Sequence, residues 1–336
     1  QAWNLGRIGW NLNELNRHEE ALAAHREALT LYQEQANTEQ QAWNLGQIGW
    51  SLNKLDRHEE ALAAHREALA LYQEQDNTER QAWNMGRIGW SLNELNRHEE
   101  ALAAFREALT LYQEQDNTEQ QAWNLEGIAW NLNKLDRHEE ALAAHRESMT
   151  LYKEQGNATE QAWSLGQIAR IHWIRGEHEQ AWKLLQEFSS TVDDDTAHYW
   201  SLQQIGDGVV DIAKRNGRAA GFAAGSQLLK ELNQQKAWFD PERGLRVLML
   251  DFLEMKLETE LIRDLCTEAV EILGPQVSTV TESISLTLEY LENGCSQDWL
   301  QRLDPDMATT VETLASEAGI NVSMGSLDSI DSYSPT

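Results

Sequence analysis

An all-α solenoid of stacked helix pairs is the fold class this sequence predicts. Three observations carry it. The stretch Gln41 to Leu62 returns almost unchanged from Gln81 and again from Gln121, and it is already present from Gln1. Residues 41–80 and 81–120 agree at 33 of 40 positions, and a fixed period in this range is the signature of units that stack side by side. Within each unit, apolar residues recur twice at helical spacing, and only four prolines interrupt 336 residues.

Each unit reads as two helices. In residues 38–76, Thr38 and Gln41 form a capping box that starts the first helix. Ala42, Leu45, Ile48, Gly49, Leu52 and Leu55 define its apolar face. Asp56 and Glu59 give a second capping signal. His58, Ala61, Leu62, His65, Ala68, Leu69 and Tyr72 then form the inward stripe of the second helix, with Glu60, Arg66, Glu67, Gln73 and Glu74 on the solvated side. Asp76-Asn-Thr breaks that helix and caps the next unit.

The pattern resembles the tetratricopeptide repeat through Ile48-Gly49, Leu52, His58, Ala61, His65 and Ala68, which stand where that family places its small residue, aromatics and two alanines. The period exceeds the family's usual length of roughly 34 residues. It is similar to the long-helix subtype of kinesin light chains and bacterial signalling proteins. Histidine twice replaces the expected aromatic, and no proline closes the second helix. The resemblance covers residues 1–190 and implies a right-handed superhelix whose first helices line the concave side.

The expected organisation follows. Residues 1–192 form the array, four near-identical units and a diverged fifth in which Trp173 and Trp182 appear at new places. An acidic linker begins at Asp193, and 193–236 is a degenerate sixth unit in which Ile205-Gly206 echoes Ile48-Gly49. Residues 237–319 form a helical cap, with helices near 241–256, 258–273, 276–292 and 305–318. The Ser- and Asp-rich tail at 320–336 is expected to be disordered. The chain opens in register with the repeat, which reads as a fragment of something longer.

On the first helices, the copies give a tryptophan row (Trp10, Trp50, Trp90, Trp130), a second one (Trp3, Trp43, Trp83, Trp123) and an asparagine row (Asn13, Asn53, Asn93, Asn133). Indoles supply contact area, and a carboxamide ladder offers donors and acceptors to an extended peptide backbone. The competing reading has the indoles filling gaps between first helices and the asparagines bonding helix to helix. The position after the asparagine alternates, Glu14, Lys54, Glu94, Lys134, so opposite charges are expected to face each other across each interface.

Other chemistry is absent from the sequence. His58 and His65 are two turns apart, roughly 10 Å along the axis, too far to share an ion. Phe105 in the place of His65 marks a packing slot. No phosphate-binding loop, nucleophile elbow or Cys-x-x-Cys occurs, so neither cofactor nor metal nor catalysis is expected. The formal charge of −28 disfavours nucleic acid and favours a basic peptide or protein face. Cys266 and Cys295 are too few for a disulfide framework. With no membrane-length apolar run, the expected location is the cytoplasm.

Three functions fit: a non-catalytic scaffold binding a peptide or protein segment in the concave groove, a regulatory arm of a larger signalling NTPase or protease, or a solenoid that self-assembles end to end.

Overall fold

A computed structural model of the chain describes residues 1–189, 195–234, 241–255 and 257–293. Asp193 and Asp194 of the expected linker, the start of the expected cap at 237–240, the expected helix at 305–318, Cys295 and the tail lie outside those residues. The described residues are helical, and no strand occurs among them. None of their helices is long and apolar enough to cross a membrane. The chain divides into two compact units, residues 1–168 and 169–336.

The first unit holds α1 (Ala2–Glu14), α2 (His18–Glu34), α3 (Thr38–Lys54), α4 (His58–Glu74), α5 (Thr78–Glu94), α6 (His98–Glu114), α7 (Thr118–Lys134), α8 (His138–Glu154) and the start of α9 (Ala158–Ile174). Each helix packs on its successor. Successive first helices, α1, α3, α5 and α7, also touch one another, and they do so more closely than successive second helices. That puts the first helices on the inside of the curve.

The turns set this spacing. At the end of α3 the Arg57 N–H donates to the Leu52 carbonyl at 2.9 Å, and Asp56 takes a left-handed conformation, φ 57°. Asn16, Ala36, Asp76, Asn96, Asp116 and Asp136 do the same at the equivalent turns. Asp56 therefore ends one helix and does not cap the next. The residue before α4 is Arg57, whose side chain caps nothing and pairs with Glu60 at 2.7 Å. The cap of α3 is likewise Asn37 and not Thr38: its side chain accepts from the Gln40 N–H at 3.1 Å, and Asn77 and Asn117 repeat the bond.

The core of each unit is the stripe expected from the spacing. Ala61, Ala68 and Tyr72 of α4 are buried against Ala42, Leu45, Ile48 and Leu52 of α3, and Leu62 is buried as well. The helices approach most closely where a ring lies on a glycine. A Cβ added to Gly49 would stand 2.7 Å from the His65 ring, and one added to Gly9 would stand 2.6 Å from His25. In the third unit the ring is Phe105, which fills the space over both Gly89 on its own partner helix and Gly127 on α7. Position 127 is Gln47 or Arg87 in the other units. Exchange of imidazole for the larger phenyl and loss of the facing side chain are thus one coordinated change.

The second unit continues with α10 (His178–Ser189), α11 (Asp195–Asn216), α12 (Arg218–Gln234), α13 (Pro241–Glu254), α14 (Thr259–Leu273), a 3-10 turn (Pro275–Val277) and α15 (Ser278–Asn293). Its core joins Trp173, Leu202, Ile205, Leu229, Phe252, Leu261, Leu265 and Leu288. The helices α11 and α12 pack as a pair, and α12 and α11 rest on α14 and α13 in turn. Arg170 is clamped by Asp211 at 2.5 Å and Asp207 at 3.2 Å.

Two stability measurements follow. Ala36 holds a conformation that glycine adopts without Cβ strain, so Ala36→Gly should raise stability by about 1 kcal/mol, read as a higher urea midpoint. A lower midpoint would contradict the strain at this turn. Gly127→Gln should cost about 1–3 kcal/mol by overpacking against Phe105, and Phe105→His should restore most of that loss. Additive costs in the double variant would mean the two positions are not in contact.

Candidate functional site

The inner wall formed by α1, α3, α5 and α7 carries both tryptophan rows, and the structure separates their roles. Trp43 lies on Gly6 of the preceding unit, Trp83 on Gly46 and Trp123 on Gly86, each within about 3 Å of where a Cβ would be. Their other faces meet the edge of His25, His65 and Phe105, at 5.6, 6.0 and 6.1 Å between centroids. This row is half-buried and closes the gap between first helices. Trp3 is 61% exposed.

The second row sits further out. Trp10 is 46% exposed, and Trp50, Trp90 and Trp130 are half-buried. Trp10 stacks on Trp43 at 6.5 Å, and Trp90 meets Trp123 at 5.6 Å. His18 and His98 meet the rings of Trp50 and Trp130 edge-on. The indoles thus present faces held in place from behind.

The asparagines differ from an exposed ladder. Asn13 and Asn93 are 2% exposed and Asn133 is 6% exposed. Asn13 accepts from the Ser51 hydroxyl at 3.0 Å and lies 3.2 Å from His18 Nδ1. Asn53, the half-buried member, donates to Ser91 at 2.9 Å and lies 3.2 Å from His58 Nδ1. A carboxamide at this point of the helix reaches the next first helix, where a serine stands 38 residues on, and is used there. In the fourth unit Asn131 replaces that serine and takes His98 for itself at 3.3 Å, which leaves the Asn93 carboxamide buried with neither atom bonded.

A cavity of about 370 Å³ lies between α3 and α5, lined by Trp50, Asn53, Lys54, Asp56, His58, Arg87, Trp90 and Glu94. Lys54 does not form the expected pair with Glu14 or Glu94. Its ammonium lies 5.7 Å from the Trp50 ring. Arg87 lies 5.1 Å from the ring centres of both Trp83 and Trp123, and burial holds its pKa below the usual guanidinium value. Neither cation has a carboxylate within ion-pair distance among the described residues.

A second polar cluster departs from the repeat. Glu126 stands where other units have glycine, Ser148 where they have alanine, and Ser164 where they have asparagine. All three are buried and converge. One oxygen of Glu126 accepts from the hydroxyls of Ser148 and, at 2.5 Å, Ser164; the other lies 2.9 Å from His145 Nδ1. Burial, together with nearby Glu126, pushes the Tyr152 phenol up. Serine, histidine and glutamate together are the parts of a nucleophilic site, but here they are sealed between helices with no face for a substrate. They act as a lock between α7, α8 and α9.

Comparison with known proteins follows from this geometry. Residues 38–114 and 117–188 match the tetratricopeptide repeat family. The array is built of tetratricopeptide repeats. Solved structures of the same fold include apo RapI, with 14% identity, 79% of this chain and 99% of that chain covered, and a TM-score of 0.57. Aspartyl phosphate phosphatase F from Bacillus subtilis gives 14% identity, 98% and 73% coverage and 0.55. A Rap protein complexed with competence and sporulation factor gives 12%, 80% and 76%, and 0.50. The sequence matches none of the curated proteins with which it was compared.

Tetratricopeptide packing explains the histidines. Burial lowers the pKa of His65 from 6.5 to about 3, and that of His25 in the same direction. The unfolded chain takes up a proton near pH 6.5 and the native ring only near 3, so His65 makes the array lose stability progressively as pH falls through that window. The double variant His65→Phe/Arg87→Gly copies the Phe105/Gly127 pair. Its unfolding free energy should fall less than that of the parent chain between pH 6.5 and 4, measured by urea titration; parallel pH profiles would remove His65 as a source of acid lability.

Proposed function

We propose that this tetratricopeptide array is a protein-interaction scaffold whose inner wall takes an extended peptide or protein segment. The observation that carries the reading is the cavity between α3 and α5, where half-buried indoles and two cations without carboxylate partners face one space. Trp10, Trp50, Trp90 and Trp130 supply contact area. Trp43, Trp83 and Trp123 stiffen the wall behind them. Asn53 reaches the occupant, while Asn13 ties α1 to α3 and Asn93 and Asn133 are buried away from the groove. Preorganised aromatic faces bind with little loss of side-chain freedom. A Rap protein of this fold, complexed with competence and sporulation factor, is consistent with partner binding by such an array.

End-to-end assembly is a second reading, and one observation favours it. Trp3, Ile8, Trp10 and Leu15 are the exposed large apolar residues of the described structure; the first three lie on α1 and Leu15 follows its end. The equivalent Ile48 is covered by Leu22 of the preceding unit. Light scattering over a concentration series addresses it directly: a constant mass removes assembly through α1.

For the groove, the full chain is screened against a peptide array, alone and as Trp50→Ala/Trp90→Ala. Loss of two indole contacts should weaken binding by at least about tenfold. Undiminished binding by the double variant would take the aromatic row out of the site.

A further inference from the structure

Successive first helices are tied twice at two junctions and once at a third. Trp43 covers Gly6 in the middle of α1, and toward the helix ends the Ser51 hydroxyl donates to Asn13 at 3.0 Å. Between α3 and α5 the same two ties recur, with Trp83 over Gly46 and Asn53 donating to Ser91 at 2.9 Å. Between α5 and α7 the middle tie is kept, Trp123 over Gly86, and Phe105 over Gly127 is added. The end tie is missing. Asn131 stands in the place of Ser51 and Ser91, and Asn93 is 2% exposed with neither carboxamide atom bonded.

His98 has changed sides at this junction. His18, His58 and His138 each set Nδ1 against the asparagine five residues back, Asn13, Asn53 and Asn133, at 3.2, 3.2 and 2.9 Å. Asn93 holds that place for His98, but the ring turns to Asn131 of the next unit, at 3.3 Å. His98 thus stands at a fork between two carboxamides. A buried carboxamide without partners lacks the hydrogen bonds that water would give it. Separation of the two helix ends hydrates Asn93 and frees His98 to return to it. Opening therefore relieves a cost here, whereas at the other two junctions it breaks a bond.

We infer that the junction of α5 and α7 is the hinge of the array. The two helices pivot in the middle, where Trp123 and Phe105 cover glycine, and splay at the ends that hold Asn93 and Asn131, while His98 exchanges Asn131 for Asn93. The hinge stands apart from the groove reading and holds whether or not a segment binds there. Trp90 and Trp130 lie within one turn of the splaying ends, so their separation changes with the angle.

The test uses the full chain carrying Cys295→Ser, with the other cysteine, Cys266, buried. Nitroxide pairs are attached through Ala103→Cys/Ala143→Cys and, for comparison, Ala63→Cys/Ala103→Cys; the three alanines are exposed on α4, α6 and α8. Distances measured by electron spin resonance should show a second, wider component for the 103/143 pair that the 63/103 pair lacks. Asn131→Ser copies Ser51 and Ser91 and gives Asn93 its missing partner, so it should fold and reduce the wider component about tenfold. Equal widths for the two pairs, or a width unchanged by Asn131→Ser, overturns the hinge. Urea titration reads the same device without labels. Asn53→Leu removes a bonded carboxamide and should lower the midpoint, whereas Asn93→Leu removes an unbonded one and should leave it level or raise it. Equal falls in the two variants would mean that Asn93 is bonded in the closed junction and would end the proposal.

Discussion

The close approach of an aromatic ring to a glycine is the constraint from which the rest of the array follows. His25 on Gly9, His65 on Gly49 and Phe105 on Gly89 set how near the two helices of a unit can come. Trp43 on Gly6, Trp83 on Gly46 and Trp123 on Gly86 set how near one first helix comes to the next. A helix interior gives up about 1 kcal/mol for each glycine relative to alanine. The array accepts this twice per unit because each glycine admits a whole ring, and burying an aromatic side chain contributes more than the glycine loses. Interlocking of this kind also fixes register: with units nearly identical in sequence, a shifted pairing would place rings on side chains.

The fourth unit tests that view, because it breaks the pattern at both glycine positions and compensates the first with a polar cluster. Glu126 stands where Gly6, Gly46 and Gly86 accept an indole, and its carboxylate is met by Ser148, Ser164 and His145. Ala129 stands where Gly9, Gly49 and Gly89 accept a ring. A carboxyl group buried in such a place is costly unless it is bonded; the two serine hydroxyls supply bonds to one oxygen, and His145 stands 2.9 Å from the other. The sealed lock is specific where the glycine contact is permissive. It distinguishes the junction of α7, α8 and α9 from the copies before it.

Much of this was legible in the sequence, and the limits have physical reasons. Period, helix pairing and the buried stripes follow from spacing alone, since each apolar position has one neighbour it can reach. Capping was misplaced by one residue because Asn37, Thr38 and Asp56 are all good helix-starting types, and only the backbone shows that Asp56 has turned left-handed. Asn13 and Asn53 each meet a serine 38 residues on, a partner that is invisible until two units are stacked. Arg87 was hidden for the same reason: its alternation with Gln47 and Gly127 is plain in the chain, but its two indoles belong to different units.

Repeat duplication explains why the inner wall is nevertheless not uniform. Units one and three differ at four positions, units two and three at seven, so the copied step is two units long. A two-unit step places unlike interfaces in alternation, and charge is where they differ most. One junction gathers Lys54 and Arg87, and the flanking ones present Glu14 with Gln47 and Glu94 with Gly127. A surface made by exact single-unit copying would bind an extended segment equally well in any register. Alternation removes that degeneracy, because successive junctions carry different charges. Small departures within a near-perfect repeat thus make one junction chemically unlike the next.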